Sequence, residues 1–209
     1  MRIKKITVKQ QAYNIIKNDI LSGKYKLGEK INIDSLSRQL GISNSPIREA
    51  LNSLEKEGLV TNTPNAGTRV IELSEEYMIE INESVYALLS GGFDLCIANN
   101  TTDLLLEQME KALQVQNKVL ESKKYHDFVE ASINFDRCFL TATKNKRLVS
   151  IYDSLYGVFF LAVIHEHENR NLNRQKNINE HIEIMSAIKN SSPEDVKKLI
   201  YKHLDKHYW

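Results

Sequence analysis

Two short helical patterns separated by a three-residue turn constrain this chain more than any other feature. Residues 34–40 are long enough for two helical turns, with Asp34 expected as the N-cap, and Gly41, Ile42 and Ser43 close that helix. A second helix follows at once. Ser45 is its expected N-cap, Pro46 falls at the first helical position where a missing N–H costs nothing, and Ile47, Ala50, Leu51 and Leu54 form a buried stripe ending near Gly58. Two helices around a tight glycine-containing turn make a helix-turn-helix, which offers the start of its second helix to a groove. Ser43, Asn44, Ser45 and Arg48 cluster at that start, and hydroxyl, amide and guanidinium groups suit base edges and phosphates. Alone, the same residues would serve equally as a plain cap and a solvated face.

The flanks decide between these readings. Before the pair, Val8, Ala12, Ile15, Ile16 and Ile20 recur at helical spacing and Gly23 stands where a C-cap belongs. After it, residues 59–63 and 68–72 alternate as strands around Pro64, Asn65, Ala66 and Gly67, with Gly67 supplying a positive φ. A helix, a helix-turn-helix and a β-hairpin in this order predict a winged helix. Charge agrees in sign: residues 1–75 carry 12 Lys and Arg against 8 Asp and Glu, whereas the rest carries 16 against 19. The basic end is the one suited to a polyanion.

The stretch from Gly23 to Ile31, the run from Leu36 to Leu51, the segment from Leu54 to Val60 and the turn from Pro64 to Gly67 together resemble the DNA-binding domain of GntR-family bacterial transcription regulators. The resemblance spans about 65 residues and implies operator contacts from Ser43, Asn44, Ser45 and Arg48, with Gly67 and Thr68 in the wing. Asn44 and Ala66 depart from it, standing where the family usually has arginine. Asparagine suits adenine N6 and N7 as arginine suits guanine O6 and N7, so a shifted, A·T-richer operator is expected. Fewer cations also lower the salt dependence, with Arg38 and Arg69 as candidate substitutes.

From Ser74 onward strand signals nearly vanish. Helices are expected over residues 75–99, 103–122, 125–143, 146–168, 175–190 and 193–207, a six-helix bundle. Phe135, Ala142, Asn145, Leu148, Glu180, His181, Ile184, Ala187, Ile188, His203 and Leu204 carry a resemblance to the FCD effector domain of the FadR branch, in its shorter VanR-like form. That resemblance implies a divalent metal held by an aspartate and three histidines. Two of those positions match His181 and His203, while the others fall on Ser132 and Asp136. Helix periodicity places Ile178, His181, Ile182 and Met185 on one face, and Val196, Leu199, Ile200 and His203 on the next, with Asp136 between Phe135 and Phe139. Asp136, His181 and His203 thus form a candidate site for one divalent Zn, Ni or Mn ion per chain, with Ser132 able to hold a water. A buried carboxylate–histidine pair without metal is the alternative. Tyr86 replaces an arginine that in the family clasps a carboxylate effector, and residues 156–164 are apolar. Tyr86 and Ser132 are therefore expected in an effector pocket suited to an apolar or aromatic molecule, unless Phe159, Phe160 and Leu161 are plain core.

Other classes find little support. Cys96 and Cys138 are far apart and fit a reducing compartment, residues 1–6 lack a following apolar run, and no stretch looks long enough to span a bilayer, so a cytoplasmic protein is expected. His165, Glu166, His167 and Glu168 lack the H-E-x-x-H spacing and are expected in solvent near a helix end; His207 pairs with His203 only at a fraying terminus. No phosphate-binding glycine loop or nucleophile elbow occurs. The sequence therefore predicts a mainly α chain, with a winged helix-turn-helix and its β-hairpin wing over residues 1–74 and an all-α six-helix effector and dimerisation domain over 75–209. Its expected partners are pseudo-palindromic operator double-stranded DNA, a second copy of itself and a small-molecule metabolite, and repression is the usual outcome in the family. A constitutive DNA binder whose helical domain only dimerises is the competing reading, and a metal enzyme built on Asp136, His181 and His203 is the third.

Overall fold

The computed structural model describes residues 6–170 and 173–204, the side chains of 167–170 excepted. The chain divides into two compact units at Ser74/Glu75.

In the first unit, α1 (Val8–Leu21) starts on Thr7, whose hydroxyl accepts the Gln10 N–H at 3.1 Å. Its inward stripe is Ala12, Ile16 and Ile20; Val8 and Ile15, counted inward from periodicity, are exposed. Helix α2 (Ile33–Leu40) begins two residues earlier than expected. Asn32, not Asp34, is the cap and accepts the Ser35 N–H at 2.9 Å, because buried Ile31 is fixed by its N–H bond to the Thr68 carbonyl and the chain turns directly after it. Gly41 takes the left-handed conformation at φ 66°, and Ser37 locks the turn by donating its hydroxyl to the Ile42 carbonyl at 2.6 Å. Helix α3 (Asn44–Lys56) likewise starts early. Ser43 is the cap residue, so Pro46 sits at the third helical position, still within the turn whose N–H groups need no intrahelical partner. Ile47, Ala50, Leu51 and Leu54 are its buried face, as expected. Beyond its end, Glu57 receives the Lys17 ammonium at 2.6 Å and the Tyr13 hydroxyl at 2.5 Å, which ties α3 to α1.

The wing is the antiparallel pair β1 (Val60–Thr63) and β2 (Gly67–Val70), shorter than expected, with Val60 opposite Val70 and Thr63 opposite Gly67. Its tight turn uses positive φ at both Asn65 (63°) and Gly67 (87°). A bridge from Lys30 to Arg69, with bonds from Ile31 to Thr68 and from Val70 to Glu29, anchors the pair.

The second unit is helical: α4 (Glu75–Ala98), α5 (Thr102–Lys118), α6 (Tyr125–Asp136), α7 (Cys138–Thr141), α8 (Lys146–Arg170), α9 (Arg174–Asn190) and α10 (Pro193–Leu204). The expected continuous helix over 125–143 is broken at Arg137, whose guanidinium grips Asp153 of α8 through two bonds of 2.6 and 2.8 Å. The displaced segment brings the Phe139 carbonyl against Gly92 of α4, so closely that a Cβ on Gly92 would lie 2.7 Å from that oxygen. Helix α8 contains a window of mean hydropathy 1.6, long and apolar enough by length and composition to cross a membrane, contrary to the sequence expectation. Val158, Phe159, Phe160, Leu161 and Ala162 are buried in succession, which encircles the helix and marks it as a core element. On α9, Ile178, His181, Ile184 and Ala187 face inward, whereas Ile182 is 49% exposed, because the buried stripe advances by threes.

Gly92→Ala should force α4 away from α7 and cost about 1–3 kcal/mol, the usual penalty of overpacking. Urea unfolding checks this, and an unchanged midpoint would contradict the close approach.

Candidate functional site

Four helices of the second unit build a buried polar cluster. Asp136 closes α6, His181 lies in mid α9 and His203 in the last turn of α10; all three are buried among the apolar residues of their helices. Phe135 stacks on the His181 ring at 3.8 Å between centroids and 6° between planes, so the imidazole is clamped. The Nε2 atoms of His181 and His203 are 3.2 Å apart, and Asp136 Oδ1 lies 4.0 Å from the first and 3.6 Å from the second.

The outer nitrogens determine what those inner atoms can do. Gln116 on α5 gives its amide N–H to Asn177 Oδ1 at 2.6 Å, so its remaining oxygen faces His181 Nδ1 at 2.7 Å and can only accept. His203 Nδ1 faces the Glu180 carboxylate at 3.0 Å. With both Nδ1 atoms donating outward, both neutral imidazoles turn lone pairs inward, where they meet a carboxylate oxygen. Two imidazole nitrogens and a carboxylate oxygen this close in a dry core suit a positive charge between them, a shared proton or a metal ion. A metal about 2.0–2.1 Å from each of three tetrahedral donors would set them roughly 3.3–3.4 Å apart; the histidine pair matches this at 3.2 Å, and Asp136, at 3.6 and 4.0 Å, would move closer to join it. Two imidazoles, one carboxylate and hydrogen-bonded outer nitrogens therefore fit a divalent ion, and Asp136, His181 and His203 are the residues that would hold it. A proton on one imidazole, balanced by Asp136, is the simpler filling of the same space. Nearby groups are hydrogen-bonded elsewhere, the Cys138 thiol donating to the Asn134 carbonyl at 3.4 Å. Burial, aided by the Asp136 charge, pushes the Cys138 thiol up to about 12, and burial raises the Tyr152 hydroxyl well above its ordinary value while it donates to the Ile133 carbonyl at 3.2 Å.

Ser132 and Tyr86, expected to share an effector pocket, are not brought together. Ser132 is buried and donates to Asn177 Oδ1 at 3.0 Å, which places it in the outer layer of the cluster. Tyr86 instead meets Tyr201 edge-on at 5.3 Å, in a shallow groove with Ile79, Asn82, Glu83 and Leu204. The reason is the register of α10: His203 faces the core and Tyr201, two residues earlier, faces out at 44% exposure. Glu166 is buried rather than in solvent, His165 is half-buried, and the side chains of His167, Glu168 and His207 lie outside the described residues. Gln116 and Asn177 were not anticipated. Gln116 follows Leu105 and Met109 on the buried face of α5, so a polar residue at a core position was the available signal.

The second grouping lies on the first unit. Ser43, Ser45 and Arg48 are exposed at the start of α3, and Ser43 makes no side-chain cap bond to the Asn44 and Ser45 N–H groups of its first turn. Asn44 is half-buried and holds Asp34 at 2.9 Å; Arg38 is exposed on α2. In the wing, the exposed Arg69 donates to the Gly28 carbonyl at 3.0 Å. Thr68 is 4% exposed with its hydroxyl toward Asn62, because β2 alternates and Thr68 falls on the inward side, so only its backbone is offered beside Gly67. Lys30, which sequence reasoning missed, lies along the wing with its Cε 3.3 Å from the Cβ position of Gly67.

Comparison with known proteins agrees with this division. The profile of bacterial regulatory proteins of the gntR family matches residues 8–70, and that of the FCD domain matches residues 94–206. The probable D-xylose utilization operon transcriptional repressor of Paenarthrobacter nicotinovorans is 28% identical over 163 residues, covering 78% of this chain and 71% of that protein. The HTH-type transcriptional repressor RspR of Escherichia coli (strain K12) is 24% identical over 206 residues, covering 94% and 86%. Among solved structures, a putative GntR transcriptional regulator from Rhodococcus sp. RHA1 aligns with a TM-score of 0.74 at 17% identity over 95% of this chain and 94% of that one. E. coli McbR/YncC aligns with a TM-score of 0.73 at 20% identity over 97% and 95%. These structures share the fold.

Proposed function

This chain belongs to the GntR family of bacterial regulatory proteins, with an FCD domain behind its winged helix, and from that premise we propose that it is a repressor whose operator affinity is set by a small molecule held in the FCD domain. It is a transcription regulator and not an enzyme. The observation that carries effector control is the convergence of Asp136, His181 and His203 on one point of a dry core, each imidazole already oriented by an outer partner. A divalent Zn, Ni or Mn ion held there would present open positions to an oxygen-donor metabolite, since three protein ligands do not complete its sphere. Binding that favours one placement of two winged helices over another changes half-site spacing, and a coupling of about 1–3 kcal/mol gives a 5- to 150-fold response.

On DNA, the start of α3 enters the major groove. The N–H groups of its first turn, with Ser43 and Ser45, take a phosphate, while Arg48 and Asn44 reach base edges. Asn44 exchanges its bond to Asp34 for one to adenine, which favours A·T-rich half-sites. Lys30, Arg69 and the turn at Gly67 ride the backbone beside it, and Arg38 contacts a flanking phosphate. Two copies on a pseudo-palindromic cytoplasmic operator complete the complex. A constitutive DNA binder is the second reading, favoured by the separation of Tyr86 from the cluster and by the engagement of Ser132 with Asn177.

Arg48→Ala should lose about 1–3 kcal/mol on an operator selected from random duplexes, with fold intact, whereas Lys30→Ala should weaken all sequences alike and reduce the salt slope by about 1. Near wild-type operator affinity for Arg48→Ala in a mobility-shift titration would sink the docking. For the FCD domain, protein purified without an affinity tag should hold about one metal per chain. Zn²⁺ returned to the apo-protein at 100 times its Kd should add about 2.7 kcal/mol of stability. The His181→Ala, His203→Ala pair should abolish both effects, and unchanged metal content in that variant rejects the site.

A further inference from the structure

Gln116 is fully buried in an otherwise apolar stripe, and both ends of its amide are engaged by residues one turn apart on α9. Its N–H group donates to Asn177 Oδ1 at 2.6 Å and its oxygen receives His181 Nδ1 at 2.7 Å. Asn177 Oδ1 takes a second hydrogen from the Ser132 hydroxyl at 3.0 Å. Polarity runs one way along this chain. Because Asn177 offers an oxygen, Gln116 must turn its nitrogen there and its oxygen to His181, and a histidine facing an acceptor at Nδ1 keeps its Nε2 lone pair for the other side. His203 is held differently, by the partly exposed Glu180 carboxylate. The two imidazoles are thus oriented by unlike partners, one neutral and buried, the other anionic and near solvent.

We infer that Gln116, braced by Asn177 and Ser132, is a positioning residue that aims His181 Nε2 at a metal shared with Asp136 and His203. This rests on the metal reading above. Its physical basis is that outer-layer hydrogen bonds fix the tautomer and ring direction of a metal-bound imidazole, and their loss typically weakens binding 10- to 100-fold. The arrangement also accounts for Ser132: its hydroxyl is committed to the brace, so α6 contributes Asp136 alone to the inner set.

The test compares Gln116→Met with Gln116→Glu in the full-length chain, reading Zn²⁺ affinity by chelator competition and the visible spectrum after Co²⁺ substitution. Methionine keeps the length and apolar bulk but removes the acceptor, and should weaken Zn²⁺ binding about 10- to 100-fold and shift the Co²⁺ bands. Glutamate keeps an acceptor toward Nδ1, with Asn177 turning its amide so that its N–H meets the new carboxylate, and should restore the wild-type spectrum and most of the affinity. Affinity and spectrum unchanged in Gln116→Met would overturn the inference while leaving the metal reading intact. A wild-type protein that binds neither Zn²⁺ nor Co²⁺ overturns both. Should Gln116→Met fail to fold, Asn177→Ala, at a half-buried position, serves instead, and unchanged Zn²⁺ affinity in that variant equally refutes the brace.

Discussion

Two imidazole Nε2 atoms and a carboxylate oxygen meet inside the second unit, and the helices around them are arranged to hold that meeting. Electron-rich atoms are costly to bring together away from water unless a positive charge joins them. Everything adjacent limits how they can relax. Phe135 stacks flat on His181, Gln116 and Glu180 fix the outer nitrogens, and Tyr152 spends its hydroxyl on the backbone of α6. Helices α5, α6, α9 and α10 therefore share one polar centre within an apolar bundle. A core of this kind specifies its packing more narrowly than hydrocarbon alone, since sliding any one helix would strand a donor or an acceptor.

The first unit follows the opposite logic, with its polar groups turned outward. Its core is a small aliphatic set, Ala12, Ile16, Ile20, Leu36, Ile47, Leu51 and Leu54, and its rigidity comes from short-range locks: Ser37 on Ile42, Glu57 on Tyr13 and Lys17, and the strand-like passage of Lys30 beside Arg69. The N-terminal turn of α3 receives no side-chain cap from Ser43.

Most of this was legible in the residues because each signal had a local cause. The Gly41 turn, the positive φ at Gly67 and the stripe from Ile47 to Leu54 each depend on a few neighbouring residues, and all three stand in the structure. Boundaries moved where a distant contact decided them. Asn32 displaced Asp34 as cap because Ile31 is pinned to Thr68 across the wing. The interruption at Arg137 has no local signature at all, since arginine is a good helix former; it reflects the grip on Asp153 and the approach of α7 to Gly92. The donor cluster was half visible. Histidines and an aspartate on apolar faces announce themselves, but Gln116 belongs to a residue type usually found in solvent, and the outward turn of Tyr86 follows from the register of α10.

The break that creates α7 also buries Cys138, and Cys96 lies under the Phe139 carbonyl on the other side of the same contact. Oxidants and alkylating reagents attack thiolates, and burial suppresses that form at both positions. Burial, with the Asp136 charge beside it, pushes the Cys138 thiol up to about 12. Two thiols on either side of one helix contact are thus packing groups, shielded by burial from reagents in solution.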